Sequence, residues 1–454
     1  MKIVILGNGI SGITAARVIR QRSKHEIVVV SDESDYFFSR TALMYVYMGQ
    51  LRWRDVQPYE DWFWEKNKIQ LVRARVAQID FSEKKLHTAE GQSIGYDRLV
   101  LASGSVSNKF GWPGQELDGV HGLYSKQDLE AMERHSSALS PFEVGQGAGK
   151  RAVIVGGGLI GVEMAEMFHS RGITVTFLVR ESGFWNNILP AEEAAMVSRH
   201  LREHHIDLRL ETELSEILDD GAGKCRAVVT SRGDTLECGF VGLTAGVSPN
   251  VGFLKNSGLE IQRGILVNKY LETNIPGVFA VGDCAEMREP RPARKAIEAV
   301  WYTGRIMGET VAHTLTGAPT AYDPGIWFNS AKFFDIEYQT YGDIRAQTPE
   351  HHATLFWQHP DGRKSIRINF ERRDGAVRGF NLMGVRYRHE VCDKWLKTGA
   401  HIETVLEQLG LANFDPEFYP EHESELVQLY TRQTGKNLQL RQRRSLDAVL
   451  AFLK

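Results

Sequence analysis

One pattern, written twice, constrains this chain more than anything else in it. Lys2-Ile-Val-Ile-Leu-Gly-Asn-Gly-Ile-Ser-Gly12 leads into a helical stretch to about Arg22 and then the apolar run Ile27 to Val30. Arg151-Ala-Val-Ile-Val-Gly-Gly-Gly-Leu-Ile-Gly161 does the same, with a helical stretch to Arg171 and the run Val175 to Val179. Each copy reads as strand, tight glycine turn, helix, strand. Continuous β-branched runs without polar alternation suit strands buried on both faces of a parallel sheet.

A Gly-x-Gly-x-x-Gly motif carries weight only in this setting. Gly7 makes the turn, Gly9 lets the backbone approach a pyrophosphate, and Gly12 allows the helix to pack closely on the strand. The helix N-terminus then stabilises the phosphate charge. Asp32 lies twenty residues past Gly12, where a carboxylate can accept from ribose hydroxyls. Gly156, Gly158 and Gly161 repeat the arrangement, with Glu181 at the same distance. Two such motifs imply two nucleotides. If one is a flavin and the other a nicotinamide, hydride transfer between them is the expected chemistry.

Around the repeats, Ile69 to Phe81 and Lys84 to Thr88 read as a small antiparallel excursion turning at Ser82-Glu83. Tyr96 to Gly104 returns as a buried strand, and Ser137 to Lys150 is a connection. Val278-Phe-Ala-Val-Gly-Asp283 is another buried strand. From about Ile326 the pattern changes to alternating strands (Lys332 to Tyr341, Ala353 to Trp357, Ser365 to Phe370, Val377 to Met383), then two helical stretches and a charged tail. The expected fold is α/β: two Rossmann-like dinucleotide-binding domains, 1–112 with 262–325 and 113–261, plus a C-terminal α+β interface domain over 326–454. The 454 residues suffice for about three domains. With 42% hydrophobic and 24% charged residues and a net charge of -3, nucleic acid has no electrostatic footprint here. No apolar run reaches a membrane span of about 20 residues, and the apolar start, Met1 to Leu6, is too short for a signal peptide. Cys225, Cys238, Cys284 and Cys392 are far apart, so free thiols in a reducing cytoplasm are expected, with neither a metal site nor a disulfide framework.

The order of Gly7-x-Gly-x-x-Gly, Tyr96-Asp-Arg-Leu-Val-Leu-Ala-Ser-Gly, Gly156-x-Gly-x-x-Gly-x-Glu and Val278-Phe-Ala-Val-Gly-Asp resembles the FAD-dependent pyridine nucleotide-disulfide oxidoreductase superfamily. The resemblance covers roughly residues 1 to 400. It implies that the first repeat binds FAD and the second NAD(P)H. On the FAD side it points to Gly7, Gly9, Ser11, Gly12, Asp32, Arg40, Val76, Ala102, Gly104 and Asp283. On the nicotinamide side it points to Gly156, Gly158, Ile160, Gly161, Arg180, Glu181 and Gly246. Relatives of NADH oxidase and coenzyme A disulfide reductase keep a catalytic cysteine in a Ser-x-x-x-Cys pattern. Here Ser39-Arg-Thr-Ala-Leu43 places leucine there. Cys284, beside Asp283, is expected to be an inert buried thiol.

The stretch also resembles the cysteine-less branch that includes apoptosis-inducing factor and the ferredoxin and rubredoxin reductases. Arg40 matches that branch's FAD-contacting arginine, while its lysine falls on Tyr45. The lysine's usual partner is Glu163, near the nicotinamide. Lys332 is either a replacement for the missing cation or a solvated strand residue. Arg180 suits a 2′-phosphate and Glu181 a free 2′-hydroxyl, and the matched spacing favours NADH. Trp301, Tyr302, Trp327 and Phe328 either line the far face of the flavin or pack in the core. The expected activity is an FAD-dependent NAD(P)H:acceptor oxidoreductase, with a protein carrier, quinone or oxygen as acceptor and a homodimer as the assembly. The alternative is an NADH-sensing flavoprotein acting by dimerisation or partner binding. Arg441 to Lys454, basic and then amphipathic, is expected to pack on its own subunit, with a membrane surface or partner as the other readings.

Overall fold

The structure is a computed structural model that describes residues 1–139, 151–414, 420–440 and 446–453. Most of the expected connection into the second repeat, and the basic start of the tail, lie outside the described residues. The chain divides into two compact units: residues 1–155, 167–174 and 214–324, and residues 156–166, 175–213 and 325–454.

In the first unit the apolar runs become a parallel sheet. Its order is Val278–Ala280, Arg98–Leu101, Lys2–Leu6, Glu26–Ser31, Ile69–Arg73. Ile3, Val4, Ile5, Val29, Val30, Leu99 and Val100 are essentially inaccessible, which is why these strands show no polar alternation. Full burial of each such side chain contributes about 1.5–3 kcal/mol. The helix Ile10–Arg22 packs on Trp301–Leu315 through small residues. A Cβ on Gly308 would stand 2.4 Å from the Ser11 carbonyl oxygen, and one on Gly304 would stand 2.6 Å from Ser11 Oγ. Ile69 to Phe81 is not one excursion. Ile69–Arg73 joins the parallel sheet, and only Val76–Asp80 pairs antiparallel with Lys85–Thr88. The chain changes sheets at Ala74-Arg75, a break with no glycine or proline to announce it.

The same unit holds Arg151–Val155, paired in parallel with Phe240–Leu243, which pairs with Val120–His121. Here the duplication extends further than the glycine motifs. The Gly104 region and the Gly246 region exit their strands alike: Ala102 N–H donates to the Leu6 carbonyl and Thr244 N–H to the Val155 carbonyl. Gly104 and Gly246 then both take positive φ, 70° and 88°.

The second unit contains the glycine turn at 156–158, the start of the helix Leu159–Ser170, the parallel pair Thr174–Leu178 and Asp207–Arg209, and the helix Ala191–Glu203. Its C-terminal part is a five-stranded antiparallel sheet, ordered Phe328–Phe333, Ile336–Gly342, Val377–Met383, Ser365–Glu371, His352–Gln358. The expected strand Lys332 to Tyr341 is thus a hairpin, turning at Phe334-Asp335 with Phe334 at φ 56°. Instead of two helical stretches the described residues form four helices: His389–Thr398, Ile402–Glu407, Glu423–Thr434 and Leu446–Leu453. The last packs on its own chain, as expected. Val449 is buried, Phe452 lies 5.8 Å from the Trp395 ring, and Lys394 Nζ donates to the Phe452 carbonyl.

Candidate functional site

The first glycine turn is shaped by two obstructions and one opening. A Cβ on Gly7, at φ 116°, would stand 2.1 Å from the Ala102 carbonyl oxygen, and one on Gly12 would stand 2.1 Å from that of Gly7. A Cβ on Gly9 would meet nothing within 4 Å. Gly9 caps the helix Ile10–Arg22 without a side-chain hydrogen bond, and no acid occupies the first turn. Helix-end amides beside open space form an anion site. Asn8, which the sequence reading passed over, ties this turn to the loop after the second strand. Its Nδ2 donates to the Ser34 carbonyl at 2.9 Å, and its Oδ1 accepts from Ser31 Oγ at 3.0 Å.

Beside the turn, Arg40 and Asp283 lie close enough to influence each other's charge. Arg40 makes a bidentate ion pair with Glu33, at 2.8 and 2.6 Å, and donates to the Tyr124 carbonyl. Its guanidinium lies 4.4 Å from the Tyr124 ring centroid. Burial works against the Arg40 charge, but Glu33, Tyr124 and Asp283 outweigh it and raise its pKa. Asp283 Oδ2 accepts from Ser105 Oγ at 3.0 Å and from Tyr124 Oη at 3.1 Å. Burial raises the Asp283 pKa, while Ser105, Tyr124 and Arg40 oppose the rise. Ser11 faces Gly282, where a Cβ would come within 2.4 Å of its hydroxyl, and a Cβ on Gly104 would stand 3.0 Å from Tyr124 Oη. The sequence pattern does not mark Glu33, Ser105 or Tyr124. Ser105 and Tyr124 belong to segments without a motif, and Glu33 stands next to Asp32. Asp32 itself is exposed just past the end of its strand, and Val76 lies in the core at the start of the antiparallel excursion. Tyr45 is half-buried on the short helix Leu43–Tyr47, and Leu43 is buried.

The second turn reproduces the first. Gly156 has φ 113°, its N–H donates to the Leu178 carbonyl as Gly7 N–H donates to Val30, and Gly158 again faces open space. Gly161 is buried and Ile160 half-buried on the helix that follows. At the end of the next strand Val179 is buried, and Arg180 Nε pairs with Glu181 Oε1 at 2.8 Å. Gly246, in the other unit, accepts from Asn108 N–H at the antiparallel pair Ser105–Ser107 with Val247–Pro249.

On the helix after this turn stand Glu163 and Glu166. Burial, reinforced by Glu166 and opposed by Lys332, pushes Glu163 up to about 7. Lys332 Nζ donates to Glu166 Oε1 at 2.6 Å, so it is an ion-paired residue rather than a solvated one. All four cysteines are buried free thiols. Cys284 Sγ points at the Leu101 and Val281 carbonyls, and burial raises its pKa.

The residues around Gly9, Arg40 and Asp283 fit a dinucleotide with a pyrophosphate, and those around Gly158 fit a second. Residues 1–299 match the family described as pyridine nucleotide-disulphide oxidoreductase. The chain is 30% identical over 295 residues to rubredoxin-NAD(+) reductase of Acinetobacter baylyi, covering 63% of this chain and 72% of that one. It is 27% identical over 289 residues to the assimilatory nitrate reductase electron transfer subunit of Bacillus subtilis, covering 63% of this chain but only 36% of the relative. It therefore spans about a third of the length of the first curated relatives. Among solved structures, a NAD-dependent persulfide reductase from A. fulgidus shares the fold with a TM-score of 0.81 at 22% identity, covering 96% of this chain and 84% of that one.

Proposed function

Because the chain belongs to the pyridine nucleotide-disulphide oxidoreductase family, with FAD and NAD(P)H as the family's cofactors, we propose that it is an NAD(P)H:acceptor oxidoreductase that passes electrons to a protein carrier. FAD held at the Gly9 turn, Arg40 and Asp283 would supply hydride-accepting and electron-transfer chemistry. The chain's own part is to bind and orient. The amides after Gly9 take the pyrophosphate, and Arg40 keeps its charge through Glu33. Asp283, held by Ser105 and Tyr124, offers a carboxylate oxygen to a hydroxyl of the cofactor. Gly158 and the helix that follows take the second pyrophosphate, and Glu181 meets an unphosphorylated ribose, so NADH is the coenzyme. Glu163, with its pKa near 7, can hold a proton beside the amide of a nicotinamide without placing a full negative charge there.

The observation that carries the absence of a thiol relay is the burial of all four cysteines, with Leu43 at the family's thiol position. Several curated relatives carry names of rubredoxin or ferredoxin reductases, which supports a protein carrier as acceptor. The experiment is to denature the purified protein and identify the released flavin, and then to repeat this with Asp283→Asn and Gly9→Val. FAD released from the wild type and lost from both variants is expected. Protein that folds and never retains FAD contradicts the reading.

A further inference from the structure

The helix Ala191–Glu203 ends on a His-x-x-x-His pair that faces the turn of the hairpin built from Phe328–Phe333 and Ile336–Gly342. Residues four apart on a helix lie on one face, so His200 and His204 point the same way. Opposite them stands Asp335. His200 Nε2 is 2.5 Å and His204 Nε2 3.6 Å from Asp335 Oδ1. The three ligand atoms lie within 4.8 Å of one another. The turn that delivers Asp335 carries Phe334 at φ 56°, a left-handed conformation that a bulky residue adopts only when its surroundings impose it. The Phe334 ring lies against His204, 4.5 Å between centroids.

The surroundings are those of a built site. Metal-bound imidazoles usually donate their second N–H to a carbonyl or carboxylate, which fixes the tautomer. His204 Nδ1 lies 3.0 Å from the His200 carbonyl oxygen, an acceptor, so Nδ1 carries the proton. His200, 2% exposed, has no hydrogen bond at Nδ1, but Glu203 Oε2 waits 3.6 Å away. Arg363 reaches both Asp335 Oδ2 and Glu203 Oε2 at 3.6 Å and steadies the two carboxylates.

We propose that His200 Nε2, His204 Nε2 and Asp335 Oδ1 bind a divalent transition-metal ion of the zinc class, with open positions toward solvent on the exposed Asp335 side. Two imidazoles and a carboxylate are donors suited to such an ion. The cation takes the place of the proton between His200 Nε2 and Asp335 Oδ1 and clamps the helix to the hairpin. Lys332, on the same hairpin, pairs with Glu166, so the clamp braces the strand that carries the Lys332–Glu166 contact. Cysteine spacing gave no sign of this site, because its ligands are histidine and aspartate from segments far apart in sequence.

The test is zinc and cobalt titration of the flavin-loaded protein by calorimetry, with melting temperature as a second readout. Because the chain also carries Asp118/His121/His135 and His351/His352/Glu371 groupings, variants must assign the binding. His204→Gln and Asp335→Asn, both at the accessible edge, should each weaken zinc binding at least about tenfold and abolish the zinc-dependent rise in melting temperature. Glu203→Gln should weaken it about 10–100-fold. His135→Gln and His351→Gln should leave it unchanged. Binding should also weaken on acidification, as protons compete for the imidazoles. No zinc binding by the wild type, or binding that survives Asp335→Asn and is lost in His135→Gln or His351→Gln, would overturn the assignment.

Discussion

Lys332 donates to Glu166 across 2.6 Å, one helical turn from Glu163, so its charge acts on two carboxyl groups that burial pushes toward the protonated form. Burial raises both pKa values and Lys332 lowers both. The unfolded chain releases the Glu163 proton near 4.5, whereas the fold holds it to about 7. Between those values the native state binds a proton that the unfolded chain has lost. The stabilising contribution is therefore complete below pH 4.5 and is lost as pH rises through about 7. Thermal melts across that window should show the decline in wild type and a flatter profile in Glu163→Gln. Lys332→Met should move the decline to higher pH.

Substitutions at the first glycine turn should separate folding from cofactor retention. Gly7→Ala and Gly12→Ala each place a Cβ 2.1 Å from a backbone oxygen and should lower stability by about 1–3 kcal/mol or more. Gly9→Ala fills only open space. It should leave the melting temperature of the flavin-free protein unchanged while weakening flavin binding. Equal loss of stability in all three would contradict this division of roles.

In the proposed function, the contact between Arg180 and Glu181 decides the coenzyme. A 2′-phosphate must draw Arg180 away from Glu181 and then sit beside the carboxylate. NADH should therefore be preferred, and Glu181→Ala should raise kcat/KM for NADPH relative to NADH about tenfold, the scale of one charge-assisted hydrogen bond. Steady-state kinetics with both coenzymes reads this directly.

Arg367 on the antiparallel sheet binds Glu193, which is fully buried, at 2.7 and 2.8 Å, and also Glu192 at 2.7 Å. Arg367→Met leaves the Glu193 charge uncompensated and should cost about 3–5 kcal/mol in denaturant unfolding. Adding Glu193→Leu to that variant should recover most of the loss.

The parts of this architecture legible in the sequence are those where the backbone forces a residue choice. Gly7 and Gly156 need positive φ, Gly12 needs the missing Cβ, and the parallel strands need unbroken apolar runs. The hairpin at Phe334-Asp335 was not legible because its turn uses phenylalanine where glycine or asparagine is usual. The sheet change at Ala74-Arg75 was hidden for the same reason. Around Asp283, the contributions of Ser105, Tyr124 and Glu33 depend on tertiary placement and have no local spacing to mark them. The pairing of Lys332 with Glu166, rather than with a group nearer the motif glycines, belongs to that class too.

The most direct test of the central claim is an anaerobic titration of the flavin-loaded protein with NADH, following the flavin absorbance. Reduction complete at a single NADH per flavin, with no thiol becoming reactive in the native protein, is the result the buried cysteines and Leu43 predict. Consumption of a second NADH with the appearance of reactive thiols, or no reduction by NADH at all, would contradict it.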